Sequence, residues 1–329
     1  MQLAQTKIPR LVLPRGVPMV PCAYAEGRRD RWDGRLQSCG ELVPYKPKWP
    51  CPNCGQKLVA SHAPTPRDGA RIINGSMSII DAETGEVAVV HHVCASDLAT
   101  RFAHSMRHVF FDTQVYSAVT TTARLNGMAV THRTYGYQPP QPMRRRYACS
   151  RSQFNSKYPE AMDTLTKFCQ LAEQVFRTHA SAAHDDTAGK VYEKIAPAWR
   201  IAGTPWTSGI INKSAALPYH VDKDNVPGSW SAMLAARRHV DGGLLHLADY
   251  DVYLAIPHGS ITIFDGQSVV HGVTPLRLVG PHAFRYTTVV YAKSLMSKCC
   301  PDPRKEAQRA QLDATLAEDR RITERYTKR

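Results

Sequence analysis

The chain has 329 residues, with 42 Lys and Arg against 28 Asp and Glu, a formal net charge of +14, and 14 His. At 43% hydrophobic and 21% charged residues, it has the composition of an ordinary globular protein, which excludes a disordered, collagen-like or coiled-coil chain. No stretch approaches the roughly 20 apolar residues of a membrane span, and the Pro-broken, Arg-dotted N-terminus lacks the apolar core of a secretory signal. The surplus of positive charge points to a polyanionic partner, nucleic acid first. Nine Cys is an odd number, which argues against a complete disulfide framework and for an intracellular, reducing compartment.

Residues 1–65 are rich in Pro and Arg, show little helical signal and carry Cys22, Cys39, Cys51 and Cys54. Cys51-Pro-Asn-Cys54-Gly is a knuckle, a tight turn that presents two thiolates to one metal. A closed zinc site needs a second pair. Cys22 and Cys39 are the nearest, at a spacing looser than usual for two knuckles, and His91, His92 and Cys94 compete with them. Further on, 75–80 and 87–93 read as a hairpin turning at Gly85, and 95–111 as a helix starting near Ser96 or Asp97. Residues 115–133 are β-prone. Segment 133–159 holds Arg133, Arg144, Arg145, Arg146, Arg151 and Lys157, interleaved with Tyr135, Tyr137, Tyr147, Phe154 and Tyr158 and without an acid. That pattern suits a nucleic-acid groove in which cations meet phosphates and rings stack on bases, with Arg144, Arg145, Arg146 and Arg151 as DNA-backbone contacts.

After Pro159 the spacing of Met162, Leu165, Phe168, Leu171, Ala172, Val175 and Phe176 predicts a helix over 160–180 with one buried stripe. From about 198 to 294, short apolar strands punctuated by Gly, Pro and Asp predict a sandwich or barrel. The tail, 302–329, reads as an exposed charged helix. Cys149, Cys169, Cys299 and Cys300 are simplest as free thiols.

Within the β region, His220-Val-Asp222 is followed by His271 and then Arg285. In extended chain, residues i and i+2 point the same way, so His220 and Asp222 can ligate one metal, with His271 arriving from a distant strand. Two His and one carboxylate on one face of iron(II) leave three positions open, room for a bidentate 2-oxo acid and dioxygen. Arg285 can clamp the far carboxylate of such an acid, and Thr287, two residues on, faces the same pocket.

HVDKDN (220–225) and HGVTPLRLVGPHAFRYTTVVYAK (271–293) resemble the TET/J-binding-protein family of iron(II)- and 2-oxoglutarate-dependent DNA dioxygenases. The matching positions are His220, Asp222, Asn225, His271, Thr274, Pro275, Leu276, Arg285, Thr287, Val289 and Tyr291, while Lys293 stands where animal TET proteins carry a His. The stretch from Gly242 to Pro275 also resembles the thymine-hydroxylating branch.

The resemblance implies iron on His220, Asp222 and His271, 2-oxoglutarate on Arg285 and Thr287, and a flipped base held by Asn225 and Tyr291. Fe(II), 2-oxoglutarate and dioxygen are the expected cofactors, with a structural zinc at the Cys segment. The fold it implies is mainly β with helices: a double-stranded β-helix (jelly-roll, cupin-like) core with supporting helices and the N-terminal zinc-knuckle segment. The organisation expected is 1–65 with the zinc site, 66–300 as the dioxygenase domain with its motifs in 200–294, and 301–329 as the charged helix. The activity expected is hydroxylation of 5-methylcytosine in DNA to 5-hydroxymethylcytosine, as a step toward base hypermodification. The alternatives are thymine hydroxylation to 5-hydroxymethyluracil, or a nucleic-acid-binding module without activity. DNA is the expected partner, with no membrane and no obligate protein partner. Compact size suggests a bacteriophage or bacterial enzyme working in the host-cell cytoplasm.

Overall fold

The computed structural model describes residues 7–25, 36–46, 49–58, 64–111, 131–144, 146–214 and 216–327. A nine-stranded sheet runs in the order Arg10–Leu13, Met77–Asp81, Val87–Val93, Ser260–Phe264, Ser231–Arg238, Phe284–Tyr291, Ser208–Lys213, Thr131–Gln138 and Ser150–Arg151. Its neighbours are antiparallel except for the first pair. A five-stranded sheet, Leu217–His220, His271–Val273, Leu245–Leu247, Val252–Leu254 and Arg71–Ile73, packs against its inner face. This is the expected jelly-roll architecture.

Alternation along each strand divides the side chains between two cores. On Phe284–Tyr291, Tyr286 and Val290 join the outer cluster with Ile211, Leu234, Ile261 and Ile263. That cluster is covered by helices Ser96–Phe111 and Pro159–His179 through Phe102, Met106, Phe168 and Phe176. Each such fully buried side chain contributes roughly 1.5–3 kcal/mol. On the inner face, Met233, Ala235 and Phe264 pack against Leu245, Leu247, Leu254 and Val273 of the smaller sheet.

Local chemistry explains the element ends. Pro159 opens its helix where a missing N–H costs nothing, and the expected stripe is buried, with Met162 and Leu171 at its margin. In the Met77–Asp81/Val87–Val93 hairpin, Gly85 takes φ 74°, and the Asp81 carboxylate accepts from the N–H groups of Glu83 and Thr84.

The N-terminal segment is tied to this core twice. Arg10–Leu13 pairs with Met77–Asp81 in the main sheet. Val20, Val43 and Leu58 pack against Tyr219, Ala248 and Val270 on the smaller sheet.

Three expectations need correction or restriction. First, Tyr135, Phe154 and Tyr158 of the basic stretch are core residues and cannot stack on bases. Arg133 is also buried, its guanidinium 5.1 Å from the Phe110 ring. The strand Thr131–Gln138 and the helix beginning at Gln153 turn those rings inward, which a count of ring types does not reveal. Second, Cys149 and Cys299 are bonded to each other across 150 residues of sequence, so they are not free thiols. The N–H groups of Cys149 and Cys300 both donate to the buried Glu306 carboxylate, which anchors the start of helix Pro303–Thr327. Third, most of the β-prone stretch 115–133 lies outside the described residues. No helix among the described residues is long and apolar enough to cross a membrane.

Candidate active site

His220 ends one strand of the smaller sheet and His271 opens its neighbour, directly opposite in register. Asp222 lies just beyond the strand end, where its N–H donates to the carbonyl of Gly266 at 2.8 Å. The Nε2 atoms of both histidines stand 3.9 Å from Asp222 Oδ1. Each ring donates Nδ1–H to the carbonyl two residues earlier, Pro218 at 2.8 Å and Val269 at 2.9 Å. A carbonyl only accepts, so Nδ1 carries a proton in each ring and Nε2 is the nitrogen left to ligate. This set fits a divalent metal bound on one face by two His and one carboxylate. Burial, then the neighbouring His220, hold His271 down at about 4, so it stays neutral and able to ligate at pH 7.

A cavity of about 450 Å³ opens over this set. Asn225 and Ser231 lie beside the carboxylate. The Asn225 amide donates to Ser231 Oγ at 3.4 Å, and that hydroxyl donates to Asp222 Oδ2 at 3.3 Å. The opposite wall is the inner face of the main sheet, with Val289, Tyr291, Ile210, Asn212 and His132. Burial, then the Asp222 charge, push the Tyr291 phenol up to about 12, so it is neutral. The Lys293 ammonium lies 5.9 Å from the Tyr291 ring centre and donates to the Gln138 side-chain oxygen at 3.2 Å. Burial lowers the Lys293 pKa.

Arg285 and Thr287 lie on the same inward face of the Phe284–Tyr291 strand as Val289 and Tyr291, further along it. Both are buried. Arg237 is paired with Arg285 in register. Burial, then this like charge, depress the Arg285 guanidinium to about 9, a setting that favours an anionic ligand.

The sequence had not singled out Asn212, His132, Ser231 or Gly266. Asn212 is opposite both Thr287 and His132 in register, so all three share the inner face. That row exists only once strands far apart in sequence are paired. The alternation within each strand was the available signal, and it carried no register.

The four cysteines of the N-terminal segment converge, with their Sγ atoms all within 4.8 Å of one another. The Cys22–Cys54 and Cys39–Cys51 separations are both 3.9 Å, against about 3.8 Å for the edge of a tetrahedron with Zn–S bonds of about 2.3 Å. Burial pushes the Cys22 thiol up to about 12. The competing residues are elsewhere: His91 bonds to the Thr262 hydroxyl at 2.8 Å, and His92 packs edge-on against His179. Of the four arginines expected on the DNA backbone, Arg146 and Arg151 are exposed. The Arg144 side chain and the whole of Arg145 lie outside the described residues.

Residues 135–294 match the family model for the TET/JBP oxygenase domain of the 2OGFeDO superfamily. No curated protein matches the chain by sequence. Among solved structures, the chain is similar to NgTET1 in complex with 5mC DNA, at 10% identity and a TM-score of 0.50, covering 70% of this chain and 84% of that one. An oxidoreductase of the 2OG-Fe(II) oxygenase family from Burkholderia pseudomallei aligns at 14% identity and a TM-score of 0.38, over 63% of this chain and 88% of that one. A Trichoplax adhaerens prolyl hydroxylase in complex with a hypoxia inducible factor peptide fragment aligns at 11% identity and a TM-score of 0.38, over 66% of this chain and 87% of that one.

Proposed function

From the premise that this chain is a 2-oxoglutarate- and iron(II)-dependent oxygenase of the TET/JBP family, its oxygenase domain at residues 135–294, we propose that it hydroxylates the methyl group of 5-methylcytosine in DNA. The observation that carries the reading is the meeting of His220, Asp222 and His271 at a cavity whose walls hold Asn225 and Tyr291. Support also comes from the likeness to NgTET1, which was solved with 5mC DNA, and from the net charge of +14.

Iron(II) with 2-oxoglutarate and dioxygen supplies the oxidising chemistry, with decarboxylation to succinate coupled to attack on an unactivated C–H bond. The chain's own residues do the holding. His220, Asp222 and His271 are the iron ligands, kept in orientation by Pro218, Val269, Gly266 and Ser231. Arg285 takes the distal carboxylate of 2-oxoglutarate as a bidentate partner, and Thr287 adds a hydroxyl. A methyl inside a duplex is out of reach, so the base is extruded, stacked on Tyr291 and held at its edge by the Asn225 amide. Arg146 and Arg151 serve the DNA backbone. The four-cysteine cluster is a structural zinc site that fixes the N-terminal segment. The product, 5-hydroxymethylcytosine, carries a new hydroxyl open to further modification.

Lys293 favours a second reading. An ammonium only donates, and thymine offers an acceptor at its 4-position where cytosine offers an amine donor. Where Lys293 reaches that edge, the substrate is thymine and the product 5-hydroxymethyluracil. The test is succinate release from 2-oxoglutarate in the presence of DNA. Stimulation by methylated over unmethylated cytosine duplex supports the first reading, and equal stimulation by any thymine-containing duplex supports the second. No stimulation by any DNA removes both.

A further inference from the structure

The cysteine-bound segment presents an aromatic and cationic surface that the reaction above does not use. Trp49, just before the knuckle, is 64% exposed, the most exposed aromatic side chain among the described residues. Trp199 and Trp206, by contrast, are buried and Trp230 is half-buried. An indole left in water needs a reason, because burying it contributes more than burying almost any other side chain. One cation lies against it, and a second stands on the same turn. Lys46 is exposed and holds its ammonium 5.9 Å from the Trp49 ring centre. Lys57 is exposed on the returning strand of the knuckle, paired with Pro50, while the Leu58 N–H donates to the Trp49 carbonyl. The knuckle therefore sets one indole and two ammonium groups on a short, cross-braced turn.

Its place in the molecule gives this surface meaning. Tyr45, beside Lys46, donates its hydroxyl to the carbonyl of Tyr219 at 3.2 Å, the residue before the ligand His220. Val221, between the two ligands His220 and Asp222, packs against the same segment. The His220 ring is 36% exposed, so the metal set opens to solvent along the strand on which the segment is seated.

We propose that Trp49, with Lys46 and Lys57, is a second DNA contact, on the segment seated against the strand that carries His220. The indole stacks on an unpaired or unstacked nucleotide and the lysines neutralise the phosphates next to it. This rests on the DNA reading above and deepens it. Extruding one base disturbs the stack around it, and an exposed ring nearby gives a displaced neighbour somewhere to stack without reading its identity. The occupant is nucleic acid and not a protein because the exposed indole carries an ammonium against its ring and a second exposed lysine on the same turn, charges that a polyanion neutralises.

The test is binding of a fluorescent methylated oligonucleotide to the zinc- and iron-loaded full chain without 2-oxoglutarate, followed by anisotropy across a salt series. Metal content and melting temperature confirm that each variant is folded. Trp49→Ala is expected to weaken binding roughly tenfold, with Trp49→Phe intermediate, since stacking one base is of this size. The Lys46→Gln/Lys57→Gln double variant is expected to flatten the slope of log affinity against log salt by roughly one for each lysine. Wild-type binding that all three folded variants reproduce, in affinity and slope, would overturn the proposal and leave the DNA reading intact. Failure of the wild-type chain to bind any DNA would overturn both.

Discussion

Gly266 lies so close to Asp222 that a β-carbon on it would overlap the carboxylate Oδ2 and stand 2.9 Å from Cγ. The same glycine accepts the Asp222 N–H through its carbonyl, so one residue fixes both the backbone and the side chain of Asp222, the proposed acidic ligand. A side chain here must push the carboxylate aside, because the overlap is with the carboxylate group itself. Gly266→Ala is therefore expected to weaken metal binding at least about tenfold, within the 1–3 kcal/mol range of overpacking. Cobalt(II) titration, read by its visible absorption, measures this. Wild-type affinity in the folded variant would remove the positioning role.

Arg285 is the proposed partner of the distal carboxylate of 2-oxoglutarate. A lysine keeps the charge but loses the two-pronged donor geometry. Arg285→Lys should raise the KM for 2-oxoglutarate roughly thirtyfold, about 2 kcal/mol, the worth of a hydrogen bond to a charged group. Thr287→Val should cost about fivefold. Succinate formation against 2-oxoglutarate concentration gives both values, and an unchanged KM in Arg285→Lys would place the cosubstrate elsewhere.

Ser231 links the Asn225 amide, proposed to meet the base, to the Asp222 carboxylate, proposed to meet the metal. Removing its hydroxyl leaves both buried or half-buried partners without that contact, at about 1–3 kcal/mol. Ser231→Ala is expected to weaken metal binding a few-fold and to raise the KM for methylated DNA at saturating metal. A change in metal affinity alone would show that Asn225 does not depend on the link.

Burial depresses both His91 and His246 to about 4. Unfolded, a histidine titrates near 6.5, so between pH 6.5 and 4 the unfolded chain binds more protons than the folded one. The stabilisation is complete above about pH 6.5 and is lost as the pH falls toward 4, on the order of 3 kcal/mol for each group. His184, raised chiefly by its bond to Glu173, works in the opposite direction. Urea midpoints should fall steadily from pH 7 to pH 5, and less steeply in His246→Gln. A midpoint independent of pH across that window would contradict the assignment.

Much of the site was legible because its chemistry is local. His220 and Asp222 are two residues apart, and Arg285, Thr287, Val289 and Tyr291 alternate along a single strand, so extended geometry puts each set on one face. The helix stripe from Leu165 to Phe176 and the hairpin at Gly85 were equally local. What depended on distant pairing was not legible. The bond from Cys149 to Cys299 closes 150 residues. The meeting of Asn212 with Thr287 needs a register. The choice of Cys22 and Cys39 over His91, His92 and Cys94 needs a folded N-terminal segment. The aromatic residues of 133–159 misled because composition shows which rings are present and not which way a strand turns them.

His220, Asp222 and His271 are proposed to hold the iron that oxidises a methyl group on DNA. The most direct measurement is nucleoside mass spectrometry of methylated DNA after incubation with the protein, iron(II), 2-oxoglutarate and ascorbate, with His220→Ala alongside. 5-Hydroxymethylcytosine is expected with the wild-type chain and none with the variant. Succinate formed while both 5-methylcytosine and thymine remain intact would contradict the proposal.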